Sequence, residues 1–148
     1  MSKPDSVPFQ TTLFVRDNCL CLHAQRAARA LTRRFDEAFR PLGLTSGQYS
    51  LMMSLNRPKP ASISVVAALL AMDRTTLTAN LKPLERRGLV RSEVDPADRR
   101  GRLLVLTEAG QALLQSAVPI WIQTHQQVER LLADADADGF RADLRSMS

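Results

Sequence analysis

The side chains with the clearest chemical potential in this chain are three arginines in a polar, turn-forming stretch. Arg99, Arg100 and Arg102 follow the segment Asp95–Asp98, in which a proline and two aspartates predict a turn. Guanidinium groups bind phosphate oxygens through paired hydrogen bonds, and arginine suits a narrow, electronegative groove such as the minor groove of DNA. The cluster therefore indicates contact with a polyanion, and the alternative is an ordinary solvated, charged turn.

A second set of polar side chains lies earlier in the chain, on a predicted helix that Asp73 would cap. A buried stripe recurs there at helical spacing, formed by Leu77, Leu81 and Leu84. Short hydroxyl groups near a helix N-terminus can reach phosphates or base edges, where the helix dipole favours an anion. The candidates for nucleic-acid contact point away from the stripe, and ordinary surface polarity is the alternative: Arg74, Thr75, Thr76, Thr78 and Lys82.

The elements that join these two sets have an informative order. Gly88 follows the predicted helix, as a glycine that ends a helix commonly does. Apolar residues then predict two paired strands, Leu89–Val94 and Arg102–Leu106, on either side of the charged turn. Thr107 is placed to cap the next helix. Helix, glycine, strand, turn, strand and helix describe a winged helix-turn-helix within residues 45–110.

The first part of the chain predicts an arm followed by one long helix. Residues 1–14 contain two prolines and no sustained period, so we expect a flexible arm. Apolar residues at helical spacing predict a helix over Val15–Arg40, which Pro41 and Gly43 would end. Residues 15–44 therefore comprise this helix and the turn that ends it.

Caps and breaks mark the helices that follow. Thr45 and Gln48 form a capping-box pattern, and Ser62 or Ser64 opens a short helix that runs to about residue 71. Pro83 lies inside the helix after Asp73, where we expect a kink or a loosened turn because proline lacks the N–H group.

The last part of the chain predicts two more helices. One runs from Thr107 to about Ala133, and a short one covers roughly Gly139–Met147, so both helices occupy most of residues 111–148. The predicted fold class is mainly α with a small β-wing (α+β), arranged as one compact unit.

The composition is that of a basic globular protein. The 148 residues carry a formal net charge of +5 and are 45% hydrophobic, and a basic balance favours polyanions. No apolar run approaches the ~18 residues that span a bilayer, and the first residues lack a signal-peptide pattern, so we expect a cytoplasmic protein. The sequence has no glycine-rich phosphate loop and no paired catalytic carboxylates. It therefore predicts no enzyme activity and no cofactor.

Taken together, these motifs resemble those of the MarR family of bacterial transcription regulators over about residues 17–147. The matching segments stand at the family's spacing: Leu84-Glu85 with Gly88-Leu89-Val90, Asp98-Arg99-Arg100, and Leu106-Thr107-Glu108-Ala109-Gly110. The resemblance implies a homodimer formed by the first and last helices. It also implies an operator with two half-sites and, usually, repression that a small molecule or an oxidant relieves.

The resemblance assigns roles to both sets of polar residues. The helix after Asp73 would lie in the major groove, with the two helices of a dimer about 34 Å apart. In the turn, Asp98 would orient Arg100 for the minor groove, while Arg99 and Arg102 would contact the DNA backbone.

The sequence also departs from the family's pattern. Ala79 stands where relatives often carry an arginine or another polar contact residue, so we expect some base readout to be missing or moved to Thr78 and Lys82. A winged helix used only for protein–protein contact would explain this departure but not the arginines. It would also explain an apolar strip on the helix before Asp73, unless that helix packs on both sides: Val65, Ala68 and Leu69.

Cys21 is the residue that suggests an oxidant as the signal. Its spacing to Gln48 resembles the organic-hydroperoxide-sensing branch of the family, and a helix N-terminus can lower the pKa of a thiol and so favour the reactive thiolate. That branch uses two tyrosines near the thiol, where this chain has Gln25 and Phe35. The alternative is a small buried apolar residue, and Cys19 is a second candidate thiol.

A small aromatic or phenolic effector is the other predicted signal. The family binds such molecules between the dimerisation helices and the winged unit, where an arginine would hold a carboxylate and methionines and a tryptophan would suit a flat ring. Ordinary core packing is the alternative for the residues involved: Arg26, Tyr49, Met52, Met53 and Trp121. Zinc would need three or four ligands in close geometry, whereas His23, His125 and Glu129 include only two histidines, which are normally surface or core residues, so we predict no metal.

Overall fold

A computed structural model describes residues 6–134 and 136–148 of the chain, and in that part a small antiparallel sheet adjoins seven α-helices. The helices are α1 (Phe9–Asn18), α2 (Leu20–Phe39), α3 (Ser46–Ser54), α4 (Ile63–Leu69), α5 (Arg74–Arg86), α6 (Glu108–Arg130) and α7 (Ala137–Ser146). The strands are β1 (Ala61–Ser62), β2 (Val90–Asp95) and β3 (Asp98–Leu106). The predicted fold class, mainly α with a small β-wing, is confirmed.

The N-terminal segment differs from the predicted arm. Residues 1–5 lie outside the described part of the chain, but helix α1 begins at Phe9, so residues 9–14 of the predicted flexible arm are helical. None of the residues of α1 is buried within the protomer. Because no core selects one face of this helix, its sequence carries no apolar period, and the periodicity argument could not detect it.

The prediction of a single helix over Val15–Arg40 is also wrong, because the helix is interrupted at Cys19, between α1 and α2. Cys19 has an extended backbone (ψ 109°), and its own N–H donates to the Val15 carbonyl, which closes α1. The Cys19 thiol sulfur then accepts from the N–H of Leu22 at 3.4 Å, so Cys19 is the N-cap of α2.

The junction from α2 to α3 follows the predicted signals. Pro41 lies in a short 3₁₀ turn (Arg40–Leu42) after α2, and Gly43 adopts the left-handed conformation (φ 66°) that ends it. Thr45 and Gln48 form a reciprocal capping box at the start of α3, as predicted. The carboxylate of Asp36 accepts from the backbone N–H of residue 46 at 2.7 Å, which ties α3 to α2.

Helix α5 begins and ends where the sequence predicts. Asp73 accepts from the Thr76 N–H at the N-cap, and Gly88 (φ 71°) leaves the helix in the left-handed conformation. The N–H of Leu89 returns to the Leu84 carbonyl at 3.0 Å, as in a glycine-based helix stop. The helix is continuous through Pro83, so proline does not break it, and the kink of its axis stays a prediction.

The sheet has the strand order β1-β3-β2, with both pairings antiparallel. Strand β1 was not predicted, and its two residues pair with Leu103 and Leu104 of β3. Strand β3 begins at Asp98 instead of Arg102, so the predicted loop shrinks to a turn at residues 96–97.

Helix α6 connects the sheet to the helical part of the molecule. Thr107 caps it, and its hydroxyl also donates to the Gly88 carbonyl at 2.6 Å, which joins the end of α5 to the start of α6. Helix α6 ends at Arg130, before the predicted Ala133. It packs along α2 and contacts α3. The fully buried side chains between these layers form the core: Phe39, Leu51, Met52, Val66, Leu77, Leu84 and Leu104.

None of the helices in the described ranges is long and apolar enough to cross a lipid bilayer.

Candidate nucleic-acid interface and apolar cavity

Helix α5 presents every predicted contact residue to solvent, since its leucine stripe is buried against the core. The hydroxyl of Thr76 donates to the Asp73 carboxylate at 2.8 Å, and the hydroxyl of Thr78 donates to the Arg74 carbonyl at 2.8 Å. Both threonine oxygens can therefore accept a hydrogen bond without rotating, while their protons are already engaged.

The three other predicted contact residues of α5 are free to act as donors. Arg74, Thr75 and Lys82 are exposed, and their side chains make no hydrogen bond or ion pair within the described residues. A phosphate oxygen accepts hydrogen bonds, so these three side chains suit the DNA backbone better than Thr76 or Thr78 does.

The cap of α5 is electrostatically tuned. Hydrogen bonds from the backbone N–H and then the hydroxyl of Thr76 lower the pKa of the Asp73 carboxyl below its ordinary value. The carboxylate is thus held in its charged form at the positive end of the helix dipole, where it fixes the first turn of α5.

The arginines of the wing lie on an irregular part of the β2–β3 ladder. Val94 pairs with Arg102, whereas the next residue, Asp95, pairs with Asp98. Residues 99–101 therefore have no counterpart on β2, and Arg99 and Arg100 lie in this bulge. A bulge re-aims side chains out of the regular ladder, so this irregularity places two cations at the end of the wing.

All three wing arginines are exposed. Arg99, Arg100 and Arg102 have no carboxylate within ion-pair distance and no hydrogen-bond partner for their guanidinium groups in the described part of the chain. By contrast, Arg91 on β2 pairs with Glu93 at 3.1 Å. The wing tip, defined here as residues 96–102, thus carries cations that no carboxylate of the described residues neutralises.

Asp98 acts on the wing tip through the backbone. Its carboxylate accepts from the N–H of Arg100 at 3.0 Å, and Asp95 accepts in the same way from the N–H of Ala97 at 2.9 Å. The predicted pairing of Asp98 with the Arg100 side chain is absent from the contacts of the described residues. The acid shapes the turn that bears Arg100 and leaves the guanidinium group free.

Helix α4 exposes the apolar strip that the sequence left open. Val65 and Leu69 are 49% and 64% exposed, and Ala68 beside them is exposed as well. Packing on both sides, the other expectation, is therefore wrong for this helix within the protomer. Leu69 belongs to the wall of a cavity, which gives part of the strip a definite neighbour.

A cavity of about 660 Å³ opens between α3, α4 and α6, and we call it the α3–α4–α6 cavity. Three of the five predicted effector residues line it together, namely Tyr49, Met53 and Trp121. The complete lining is Tyr49, Ser50, Met53, Ser54, Leu69, Leu70, Val118, Trp121 and Ile122.

Two predicted effector residues lie elsewhere. Met52 is completely buried in the core, whereas its neighbour Met53 lines the cavity. Adjacent residues of a helix point about 100° apart, so the two side chains cannot both face the cavity. Arg26 lies on an exposed face of α2 and does not line the cavity. The arginine expected to hold a carboxylate is therefore missing from this site, and both assignments are corrected.

Tyr49 and Trp121 are held by aromatic neighbours. Tyr49 stacks on Phe39 with ring centroids 4.6 Å apart, and burial raises the pKa of its phenol. Trp121 stacks on the imidazole of His125 at 4.6 Å, and Glu129 lies 3.7 Å from that imidazole. Both rings on the cavity wall are thus fixed in orientation by contacts behind them.

The cysteine region places the thiols in different surroundings. Cys21 is exposed in the first turn of α2, and the amide of Gln25 donates to its sulfur at 3.5 Å. Cys19 is half-buried at the N-cap, and its carbonyl lies 2.7 Å from Nδ1 of His23. Among the described residues, no three histidine, cysteine, aspartate or glutamate side chains are grouped to hold a metal ion.

Sequence reasoning missed Arg87, which holds the winged unit against the end of α2. Its guanidinium donates to the carbonyls of Gly43 at 2.8 Å and Leu42 at 3.1 Å. No sequence signal could have paired these residues, because backbone carbonyls accept hydrogen bonds in every sequence. Ser50, Leu69 and Ile122 of the cavity were also missed.

The fold and its unpaired basic surface define a winged helix-turn-helix protein with additional helices at both ends. A family model described as MarR family matches residues 42–101. The transcriptional regulator HosA of Escherichia coli O111:H- is 32% identical over 105 residues, which are 70% of this chain and 77% of HosA.

Two further relatives agree with this match. The organic hydroperoxide resistance transcriptional regulator of Bacillus subtilis (strain 168) is 30% identical over 104 residues, 70% of this chain and 71% of that protein. The structure of the M. tuberculosis transcriptional regulator MosR in complex with DNA is 37% identical, has a TM-score of 0.77, and covers 88% of this chain and 93% of MosR. The chain belongs to the MarR family of transcriptional regulators, which confirms the resemblance of its motifs.

Proposed function

We propose that this chain is a homodimeric repressor that binds an operator with two half-sites and leaves it when a signal arrives. The observation that carries DNA binding is the absence of protein partners at its basic groups. Arg74 and Lys82 on α5 and the wing arginines form no ion pair within the described residues. Unpaired, exposed cations on a helix and a wing of one unit are what a phosphate backbone neutralises with release of counterions.

The division of labour within the site follows from the hydrogen bonds. Arg74, Thr75 and Lys82 are free donors for phosphates, whereas the Thr76 and Thr78 oxygens are acceptors for base edges. Ala79 contributes a methyl group alone. The wing and the phosphate contacts therefore carry most of the affinity, and base readout by α5 is limited. The solved complex of MosR with DNA supports this placement by analogy.

Apolar side chains outside the winged unit support the dimer. Leu20 is 73% exposed, and Phe9, Phe14, Phe140 and Met147 are also exposed within a protomer. A groove between α2 and α7 is lined mainly by apolar residues, Leu20 and Met147 among them. A second copy of the chain that packs α1, α2 and α7 against their counterparts would bury these residues, in agreement with the resemblance.

A small molecule in the α3–α4–α6 cavity is the signal that the geometry supports best. The cavity lies between α3 and α4 of the winged unit and α6, which extends towards the helices of the proposed dimer interface. A ligand that fits one arrangement of these helices better than the other shifts the protein away from the DNA-binding form.

An oxidant at Cys21 is the second proposed signal, favoured by the exposure of the thiol and its contact with Gln25. The B. subtilis relative is named for organic hydroperoxide resistance, which adds support by analogy. Phe35, in place of a phenol, contributes no hydroxyl to this environment.

The experiment that tests DNA binding measures affinity against salt. Fluorescence anisotropy of a labelled duplex from upstream of the chain's own gene gives Kd at several salt concentrations. We expect log Kd to rise steeply with log salt and an unrelated duplex of equal length to bind more weakly. Alanine at Arg99, Arg100 and Arg102 together should reduce both the affinity and the slope.

The matched control removes arginines that lie outside the proposed interface. Alanine at Arg26, Arg29 and Arg33 of α2 removes the same number of charges from exposed positions. If this control weakens DNA binding as much as the wing variant does, the loss of affinity reflects net charge, and the proposed DNA-binding surface is wrong. Binding that is insensitive to salt would instead favour a winged helix that contacts only proteins.

A further inference from the structure

The α3–α4–α6 cavity has a wall that contains no charged side chain. Its lining consists of apolar residues, two serines, Tyr49 and Trp121, and every one of these lies within the described ranges. Trp121 stacks on the imidazole of His125, which lies 3.7 Å from Glu129, and neither His125 nor Glu129 lines the cavity. A ligand carboxylate in this cavity would find no cation supplied by the wall.

Tyr49 adds a polar group that lacks a protein partner. The residue is only 7% exposed, and its hydroxyl makes no hydrogen bond with any described residue. No buried side-chain oxygen in the described part of the chain is left without a partner, so this hydroxyl keeps some access to solvent, and Tyr49 is a lining residue of the cavity. Burial raises the pKa of Tyr49, which keeps the phenol protonated and able to donate.

The two serines complete the hydrogen-bonding capacity of the wall. The hydroxyl of Ser54 donates to the Leu51 carbonyl at 2.6 Å, so its proton is engaged and its oxygen remains an acceptor. Ser50 is exposed and its hydroxyl has no partner among the described residues, so it can donate or accept. The wall therefore offers neutral donors and acceptors around a flat aromatic surface at Trp121.

From this wall we infer that the cavity selects a neutral, planar aromatic molecule with a hydrogen-bonding group and rejects the corresponding carboxylate. This inference rests on the proposed role of the cavity as the signal site and names the class of ligand it takes. An anion would lose its hydration in the cavity without gaining an ion pair, whereas a neutral ester, amide or phenol loses far less. The ring would lie against Trp121, and its polar group would meet the Tyr49 hydroxyl.

Pairs of ligands in which a carboxylate is replaced by a neutral methyl ester or amide test this inference. Isothermal titration of the full-length protein would compare methyl 4-hydroxybenzoate with 4-hydroxybenzoate, and salicylamide with salicylate. We expect the neutral member of at least one pair to bind on the order of tenfold or more tightly than its acid. Fluorescence of Trp121, the single tryptophan of the chain, should change on binding because its ring is part of the wall.

Substitutions in the wall locate the binding site. Tyr49→Phe removes only the hydroxyl and should weaken the neutral ligand several-fold, without affecting the fold. Ile122→Arg and Leu69→Arg each add a cation at an exposed edge of the cavity, 45% and 64% exposed in the parent chain, where an arginine can be accommodated. Either arginine variant should reverse the preference towards the carboxylate.

Three outcomes would overturn the inference. They are acids that bind as tightly as their neutral partners in both pairs, no binding by any of the four compounds, and a preference that neither arginine variant alters. The salt-dependent DNA titration uses no ligand, so it stands or fails separately. If the protein binds DNA and any of these outcomes is found, the proposed ligand class is wrong but the proposed function as a DNA-binding regulator stands. If the protein does not bind DNA, the proposed function itself is wrong.

Discussion

Arg87 donates from Nη1 to the carbonyl oxygen of Gly43 at 2.8 Å, which ties the end of α5 to the turn that closes α2. A second bond from Nη2 reaches the Leu42 carbonyl at 3.1 Å. Gly43 has a left-handed backbone, so its carbonyl is presented outside the helical ladder where a side chain can reach it. One guanidinium group thereby fixes the winged unit to the long N-terminal helix.

Arg87→Ala should lower the free energy of unfolding by about 1 kcal/mol, because two hydrogen bonds at an exposed site are exchanged for hydrogen bonds to water. Arg87→Lys should recover only part of the loss, since an ammonium group cannot span both carbonyls in the same geometry. Urea unfolding would measure both variants. Arg86→Ala is the matched control, because Arg86 is exposed and its side chain has no described partner. Equal losses in the two alanine variants would contradict the role of the clamp.

Gly110 should tolerate no side chain. A Cβ atom at this position would collide with the carbonyl oxygen of Leu89, at the place where α6 crosses the start of the sheet. Gly110→Ala should therefore destabilise the protein by about 3 kcal/mol, as overpacking against backbone does.

Gly47→Ala is the control for Gly110→Ala, because it also changes a helical glycine. The nearest atom to its added Cβ is Nδ2 of Asn80 at 3.8 Å, so the methyl group fits. Alanine has the better helix propensity, and we expect a gain of about 0.5–1 kcal/mol. Urea midpoints compare the two variants, and a Gly110→Ala protein as stable as the parent would show that α6 can move away from the sheet.

The cap of α5 should titrate. Because hydrogen bonds from Thr76 lower the folded-state pKa of Asp73, its contribution to stability is present above the unfolded pKa of about 3.9 and is lost as the pH falls through the folded-state value. The parent chain should unfold at a higher temperature than Asp73→Ala at about pH 7, and this difference should shrink below about pH 4. Asp73→Ser keeps a cap that does not titrate, so its advantage over Asp73→Ala should persist in acid. A gap between parent and Asp73→Ala that is constant with pH would rule out this linkage.

The sequence was informative where a structural signal is local. The caps at Thr45 and Asp73 and the glycine stop at Gly88 each depend on residues within one helical turn, so they could be identified from neighbouring letters. Strand β1 depends on pairing with Leu103 and Leu104, which are distant in the chain, and its own two residues carry no sequence pattern that predicts a strand. The contact between Arg87 and Gly43 was hidden for the same reason.

The candidate site shows the same limit. Exposure of the α5 and wing cations followed from the leucine stripe and the turn residues, and these were predicted from the sequence. The cavity was expected from the family resemblance, but its membership depends on side-chain direction. Met52 and Met53 are adjacent and chemically identical, yet only packing decides that Met52 enters the core and Met53 the cavity wall.

The wing tip should act on DNA without reading its sequence. Arg100→Ala removes a cation that has no partner among the described residues, so we expect weaker binding to operator and unrelated duplexes alike, with the salt slope reduced by about 1. Arg91→Ala is the control, because Arg91 already pairs with Glu93 on β2. A loss confined to the operator would show instead that Arg100 recognises particular bases or a particular groove shape.

Release of the protein from DNA by an oxidant should depend on Cys21, the proposed sensor thiol. Cumene hydroperoxide would oxidise the exposed sulfur to a sulfenic acid, with the peroxide reduced to its alcohol, and the new polar group would disturb the first turn of α2. We expect peroxide to release the parent protein from labelled DNA and dithiothreitol to restore binding. Cys21→Ser should bind DNA normally and fail to respond to peroxide.

Cys19→Ser separates the two thiols, because the serine oxygen can replace the sulfur that accepts from Leu22 at the N-cap. Unchanged release in Cys21→Ser would exclude this cysteine as the sensor, and loss of release in Cys19→Ser alone would assign the role to the capping thiol.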